Sequence, residues 1–308
     1  MGKITGLLVI LVAVFSVLLF VAQGLFFSSP LWFPQDISTH GPAIDAQFMR
    51  TLIVVAIAFT AAQVALGYAI FRFGRRGGER ATYTHGSNKL EATWTIITAM
   101  VFVTLAVLGQ RVWAQLHLNE APPDAMKIEV VAQQFKWTFH YPGKDGIFGR
   151  TDPKFINDDV GNFVGLNPSD ANATNLPEGT KLDPADIDPN AADDVQTGTL
   201  VIPRDRPVEL TLRSKDVIHS FFVPVLRFKQ DTVPGLAIKV HFTATKTGKF
   251  EIPCAELCGN RHYTMKGFLL VVPGEEYDQL IQLPQAEFTA RMNALDQQYG
   301  GQQQSQSQ

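Results

Sequence analysis

The sequence predicts a two-part protein, an α-helical membrane region followed by an all-β domain of sandwich or Greek-key type. Three observations carry this. Three long apolar stretches occupy the first third of the chain. The loop between the second and third is strongly basic. The remainder reads as short strands separated by Pro, Gly and Asp turns. The 308 residues are 46% hydrophobic, and a formal net charge of -3 gives no sign of a nucleic-acid partner.

The apolar stretches are Ile4–Phe20, Leu52–Phe71 and Thr93–Gly109. A bilayer core of about 30 Å takes about 20 apolar helical residues. The second and third reach that length with their flanks, which predicts a transmembrane hairpin over 51–113 with a loop over 74–90. Arg72, Arg75, Arg76, Arg80 and Lys89 gather positive charge at the membrane ends of that loop. The positive-inside rule therefore puts the loop in the cytoplasm and the β domain outside. Trp94 and Trp113 flank the third stretch, as an aromatic belt would. Residues 1–23 are open between a retained transmembrane helix and a secretory signal peptide, because Lys3 before an apolar run describes both. Residues 24–50 then form a periplasmic linker.

The outer domain is expected over 122–285. MKIEVVAQQFKWTFHYPG, TLVIPRDRPVELTLRS, LAIKVHFTATKTGKFEIP and GFLLVVP have the alternation and the β-branched and aromatic content of strands. Residues 143–195 interrupt them with a stretch rich in Asp, Asn, Pro and Gly. It reads as a long surface insertion, ordered in part, whose acids lack EF-hand spacing. Residues 286–308 read as a tail, with the low-complexity YGGQQQSQSQ disordered at its end.

The chain has two cysteines, and both lie in CAELCGNRHYTM, residues 254–265. Cysteines outside the membrane normally pair, but a Cys254–Cys258 disulfide gives His262 and Met265 no reason to be there. A zinc site would use Cys and His and has little use for Met. Soft thiolate and thioether ligands suit copper, and His₂Cys with a weak axial Met is a one-copper set. Cys258, His262 and Met265 supply most of it, and His219, just beyond the strand RPVELTLRS, completes it. Cys254 is then additional. Two thiolates can bridge two metals, each taking one histidine and one weak ligand. Met265 is one weak ligand and the backbone carbonyl of Glu256 the other. One electron shared over two nuclei changes geometry little, which favours electron transfer over bond chemistry.

On these residues the chain resembles subunit II of the haem–copper cytochrome c oxidases. C-x-E-x-C-G-x-x-H-x-x-M matches as CAELCGNRHYTM, D-V-x-H-S as DVIHS, and KQDTVPG at 229–235 also matches. The resemblance covers the second and third apolar stretches and most of the outer domain. It implies a cupredoxin-like domain in which Cys254, Cys258, His219, His262, Met265 and the Glu256 carbonyl hold a dinuclear CuA centre. It implies that the Glu256 side chain reaches a magnesium ion shared with subunit I, with Asp231 in the same water-rich region. It makes Glu91, in LEATWTI, the mouth of a proton channel in subunit I. The implied function is electron transfer from a c-type cytochrome, through the copper centre, to haem and copper in subunit I. There oxygen is reduced to water with proton pumping. The enzyme is the complex with subunit I and other oxidase subunits, in a bacterial inner membrane; this chain carries no catalytic residue of its own.

The chain departs from the family at the electron-accepting surface. A Q-W-x-W-type stretch is usual, and here Gln134-Phe135-Lys136-Trp137 puts Phe135 where the accepting tryptophan would stand. Lys136 adds positive charge where the family attracts a basic cytochrome with acids, and Asp216 remains as a docking acid. Leu236 stands where many relatives have arginine. His40, His85, His117, His140 and His241 read as ordinary residues of loops, membrane edges or strands. No C-x-x-C-H motif occurs, so no haem is expected on this chain. Two rivals are a CuA-containing subunit of a nitric oxide reductase and a membrane-tethered copper-binding protein without redox turnover. The six methionines form no Met-rich run of the kind a copper chaperone uses.

Overall fold

The structure is a computed structural model; it describes residues 2–26, 33–74, 83, 85–169, 176 and 179–306. The chain divides into two units, residues 1–35 with 42–115 and residues 36–41 with 116–308. Arg75, Arg76 and Arg80 of the basic loop lie outside the described residues.

The first unit contains α1 (Gly2–Phe26), α2 (Gly41–Phe73) and α3 (Asn88–His117). All three are long and apolar enough to cross a membrane. α1 meets α2 where two glycines face each other. A Cβ on Gly6 would stand 2.5 Å from the carbonyl oxygen of Gly67, and one on Gly67 2.7 Å from that of Gly6. Small residues at a helix crossing let backbones pack closely where no hydrophobic effect helps them associate. The Gln47 amide donates to the Leu105 carbonyl at 3.2 Å, tying α2 to α3. α3 buries none of its residues, and Ile97, Met100 and Phe102 stand exposed for lipid or a partner to cover.

The second unit is β-rich. Its strands are β1 (Met126–Gln133), β2 (Lys136–Tyr141), β3 (Val195–Thr197), β4 (Thr199–Pro203), β5 (Pro207–Ser214), β6 (His219–Val223), β7 (Phe228–Thr232), β8 (Ile238–Thr243), β9 (Gly248–Pro253) and β10 (Lys266–Val272). They form a five-stranded sheet in the order β3-β2-β1-β5-β8, a three-stranded sheet β4-β10-β9 and the pair β6-β7. β1 runs parallel to β5 and β4 parallel to β10, so the chain crosses between sheets as well as turning back in hairpins. The period-two pattern sets the faces. In β5, Val208, Leu210 and Leu212 are fully buried while Glu209, Thr211 and Arg213 point away. The Tyr141 hydroxyl joins the sheets, donating to the Val201 carbonyl at 3.1 Å and accepting from the Val201 N–H at 2.7 Å.

Three expected boundaries move. α2 starts at Gly41, inside the expected 24–50 linker and ahead of the hairpin bound at 51. Just before it, residues 36–41 belong to the β unit. Ile37 is fully buried there, its N–H bonding Val225 at 3.0 Å and its carbonyl accepting from Thr245 at 2.7 Å. The expected tail over 286–308 is instead helical. α4 (Gly274–Leu280) leads into α5 (Gln285–Gln306), whose Phe288, Met292, Leu295 and Tyr299 recur at helical spacing and are buried in the main core. The Gln- and Ser-rich end hid this apolar stripe, and Ser307 and Gln308 lie outside the described residues.

The 143–195 insertion is built from short 3-10 turns with polar caps. The side chains of Asp152, Asn157, Asp183 and Asp188 each accept a backbone N–H at the start of a turn. These side chains therefore serve the backbone. Phe155 is fully buried, and Val164, Leu166 and Ala191 pack with Val131 of β1 as a small second core. Asn162 fixes the turn between them, donating to Phe155 and Leu166 carbonyls at 3.0 and 2.9 Å and accepting from the Leu166 N–H at 2.8 Å. Residues 170–175, 177 and 178 lie outside the described residues.

Candidate metal centre

Four short segments build the site. β6 begins at His219, which is fully buried. The loop after β9 carries Cys254 and Cys258, both buried. A 3-10 turn presents His262, and Met265, 2% exposed, precedes β10. The loop is pinned at both ends, because the Cys254 N–H bonds the Met265 carbonyl at 3.0 Å and the Ala255 N–H bonds the Ser220 carbonyl at 3.0 Å. β6 and the loop thus share one frame.

The donor atoms converge. Cys254 Sγ and Cys258 Sγ are 3.9 Å apart. His219 Nδ1 lies 4.0 Å from Cys254 Sγ, and His262 Nδ1 3.5 Å from Cys258 Sγ. Met265 Sδ lies 3.8 Å from Cys258 Sγ, and the Glu256 carbonyl oxygen 3.3 Å from Cys254 Sγ. A disulfide needs sulfurs about 2.05 Å apart, so the two thiols stand open side by side. His219, Cys254 and Cys258 meet within 4.8 Å, the grouping expected around a shared metal. Each sulfur has one imidazole and one weak donor beside it, and this soft set fits copper.

The electrostatics also suit a metal. Burial opposes ionisation of Cys254, but hydrogen bonding with the His219 ring, with the backbone at Glu256 and Ser220 and with Cys258 together outweighs it and brings the thiol down to about 6. Burial and the Cys254 sulfur together push Cys258 up to about 11. Two thiols this close therefore keep one proton between them at neutral pH, and a cation would replace it.

Asp216 orients His219. Its Oδ1 lies 2.8 Å from His219 Nε2, its Oδ2 accepts the Gln134 N–H at 2.7 Å, and it also accepts the Val217 N–H at 2.7 Å. Burial works against its charge, but these donors outweigh burial and hold the carboxyl below its usual range. The Gln134 side chain in turn donates to the Cys258 carbonyl at 2.6 Å. Gln134 is the residue that sequence reasoning missed. Its partners are 82 and 124 positions away, and no local pattern signals such contacts.

The other expected site residues are placed as follows. Phe135 is partly exposed, with its ring edge 3.1 Å from where a Cβ on Gly259 would stand, beside the cysteine loop. Trp137 is 2% exposed and packs edge-on to His219 at 6.2 Å between centroids, so it walls the pocket from inside and does not face solvent. Asp231 accepts at 2.6 Å from Oγ of Ser220, the residue after His219, and at 2.9 Å from Lys229 Nζ. The Glu256 side chain is exposed. Glu91 sits in the first turn of α3 in the other unit, away from this cluster in the chain.

Residues 27–112 match the transmembrane domain of cytochrome C oxidase subunit II, and residues 177–272 match its periplasmic domain. The alternative cytochrome c oxidase subunit 2 of Bradyrhizobium diazoefficiens is 34% identical over 86% of this chain and 89% of its own length. The chain belongs to the cytochrome c oxidase subunit II family. The cytochrome c oxidase subunit 2 of Thermostichus vulcanus is 30% identical over 83% of this chain and 80% of its own. Among solved structures, the periplasmic domain of subunit II of cytochrome oxidase of Bradyrhizobium japonicum aligns at TM-score 0.36 and 24% identity, over 55% of this chain and 99% of that one. By its family matches, this subunit II chain pairs a membrane-spanning region with a cupredoxin-like domain, as the sequence predicts. Family membership implies copper binding and association with a haem–copper subunit I.

Proposed function

We propose that the chain is the electron-accepting subunit of a respiratory haem–copper terminal oxidase. The observation that carries this is the convergence of His219, Cys254, Cys258, His262, Met265 and the Glu256 carbonyl on one pair of sulfurs. Copper held there would supply a one-electron carrier whose charge spreads over two nuclei. The protein's part is to hold the ligands still and dry. His219 keeps Nδ1 toward the sulfurs because Asp216 takes the proton of Nε2 as a hydrogen bond. Phe135 and Gln134 cover the cysteine loop, so electrons from a c-type cytochrome arrive through Phe135. They leave toward haem and copper in subunit I, where oxygen becomes water and protons are pumped.

Leu257 and Tyr263, on the same loop, are 78% and 86% exposed. Side chains of this kind beside a redox centre suit a surface that a partner subunit covers. On this reading the exposed Glu256 carboxylate reaches a magnesium ion shared with subunit I, a hard cation for an oxygen ligand. Asp231 lines the water near it, and Glu91 receives protons at the cytoplasmic end of α3. The β domain stands on the periplasmic side of a bacterial inner membrane, as the basic residues between α2 and α3 favour.

Copper analysis and electron paramagnetic resonance of the purified complex test the reading. Two coppers per chain sharing one electron are expected. One copper, zinc, or a disulfide in this loop would overturn it.

A further inference from the structure

Gln134 and Phe135 make up the turn between β1 and β2. A surface turn is ordinarily the mobile part of a hairpin, but this one is held from three sides. The Gln134 N–H donates to Asp216 Oδ2 at 2.7 Å, and Asp216 Oδ1 lies 2.8 Å from His219 Nε2. The Gln134 side-chain amide donates to the Cys258 carbonyl at 2.6 Å. On the third side stands Asp158 of the insertion. It accepts from the Gln133 amide at 3.0 Å and from Lys136 Nζ at 3.4 Å, and it lies 3.6 Å from Lys215 Nζ.

Gln134 thus bonds both to the carboxylate that holds His219 and to Cys258. These belong to different halves of the donor set, because His219 stands beside Cys254 while Cys258 stands beside His262 and Met265. Gly259 leaves room for the contact. Its φ of 137° lies where side chains are disfavoured. A Cβ there would stand 2.8 Å from Gln134 Nε2 and 3.1 Å from Phe135 Cζ. The amide and the ring therefore rest together on the one glycine of the cysteine loop. Gln134 is itself exposed, so these contacts and not core packing are what it contributes. We infer that Gln134 is a positioning residue for electron entry, which, seated on Gly259, fixes the Phe135 ring against the cysteine loop and links it to both halves of the donor set. This rests on the electron-accepting function proposed above. One electron leaves a reduced c-type cytochrome and one arrives at the copper pair, and no bond forms or breaks. What the turn controls is how constantly the ring keeps its place during that transfer.

The test uses the whole complex. Stopped-flow reduction of the copper centre over a range of reduced c-type cytochrome concentrations gives the limiting rate, and surface binding of the oxidised cytochrome gives Kd. Amide hydrogen exchange over residues 133–137 of the resting complex reads the turn without any turnover. Gln134→Leu, which keeps bulk and removes the side-chain donor, should retain both coppers and their spectrum. It should slow the limiting rate by about tenfold, the order expected when reacting groups lose their fixed placement. It should leave Kd unchanged and speed exchange across the turn. Gly259→Ala keeps Gln134 but displaces its amide and the ring, and should slow the limiting rate in the same way. A limiting rate and exchange equal to the parent's in Gln134→Leu would overturn the inference. So would a weaker Kd with the parent's limiting rate, which would make Gln134 a docking contact, and so would loss of copper, which would make it part of the ligand scaffold. The unsubstituted complex separates the two levels. If cytochrome does not reduce its coppers, the electron-accepting reading fails and the inference with it; if parent and Gln134→Leu are reduced equally fast, the inference alone fails.

Discussion

Asp216 and His219 form a carboxylate–imidazole pair, 2.8 Å from Oδ1 to Nε2, that fixes which ring nitrogen faces the two cysteine sulfurs. The aspartate expected from sequence on the docking surface is exposed and also holds His219, a proposed ligand. Such partners typically change metal affinity about 10–100-fold when removed. Asp216→Ala should leave copper bound but more easily stripped, by a factor in that range. Competition with a copper chelator measures it. Affinity equal to that of the parent would show that His219 keeps its orientation without help.

The ligands themselves should differ in weight. Cys254 and Cys258 each stand beside one histidine and beside each other. Replacing either by serine should abolish the two-copper spectrum. Met265 is a weak donor at a single sulfur, so Met265→Leu should keep copper and shift its potential. Spectroscopy with a redox titration separates these outcomes. Two-copper spectra surviving in the cysteine variants would reject the ligand assignment.

His140 anchors the insertion away from the metal. It is fully buried in β2, with Nδ1 3.1 Å from Glu129 of β1 and Nε2 2.7 Å from Asp194 at the end of the insertion. Burial opposes its charge, but the two carboxylates prevail and hold its pKa above 6.5. A raised imidazole pKa gives stability that is complete below the unfolded value, about 6.5, and lost as pH climbs through the folded one. Burial raises the Asp194 carboxyl too, so its charging also costs stability as pH rises. For Glu129 burial pulls upward, but His140 and Arg213 outweigh it and hold the carboxyl below 4.5, and its share is lost only on acidification. Denaturant midpoints of the full chain should therefore be higher near about pH 5.5 than near about pH 8.5. His140→Gln should flatten that slope and cost about 3–5 kcal/mol, the usual result of stranding a buried charge. A midpoint that does not move with pH in the parent chain would count against the charged imidazole.

α5 should matter to stability far more than its Gln-rich composition suggests. Leu295 is fully buried in the core shared with the sheets. Leu295→Ala should cost about 2–5 kcal/mol from lost burial and the cavity left behind. Substitutions at Gln297 or Gln298, both exposed, serve as surface controls. A Leu295→Ala chain with the parent's unfolding midpoint would mean the helix does not dock.

Much was legible in the sequence, because the signals there are local. Twenty-residue apolar runs fix membrane helices through hydrocarbon thickness alone. Period-two alternation gave the strands, since it reports which face is buried. The spacing Cys254, Cys258, His262, Met265 put most of the proposed copper donors in one loop, and only His219 had to come from elsewhere. Misjudged segments were those whose partners are distant. Ile37 read as linker because its backbone pairs with Val225 and Thr245, far along the chain. The stripe Phe288, Met292, Leu295 and Tyr299 was diluted by glutamines that packing ignores.

The sequence by itself determined the two-part architecture and the proposed donor set, because hydrocarbon thickness and ligand softness are properties of short segments. Only the tertiary structure decided that Asp216 faces a ligand, that Trp137 is a buried wall, and that Asp158 reaches Lys136 and Lys215. Those are contacts across 3, 22 and 57 positions or across strands, set by sheet pairing and the folding of the insertion. No residue's type reveals which distant surface it will meet. That choice belongs to the packed core, which brings β1, the insertion and the cysteine loop to one end of the β domain.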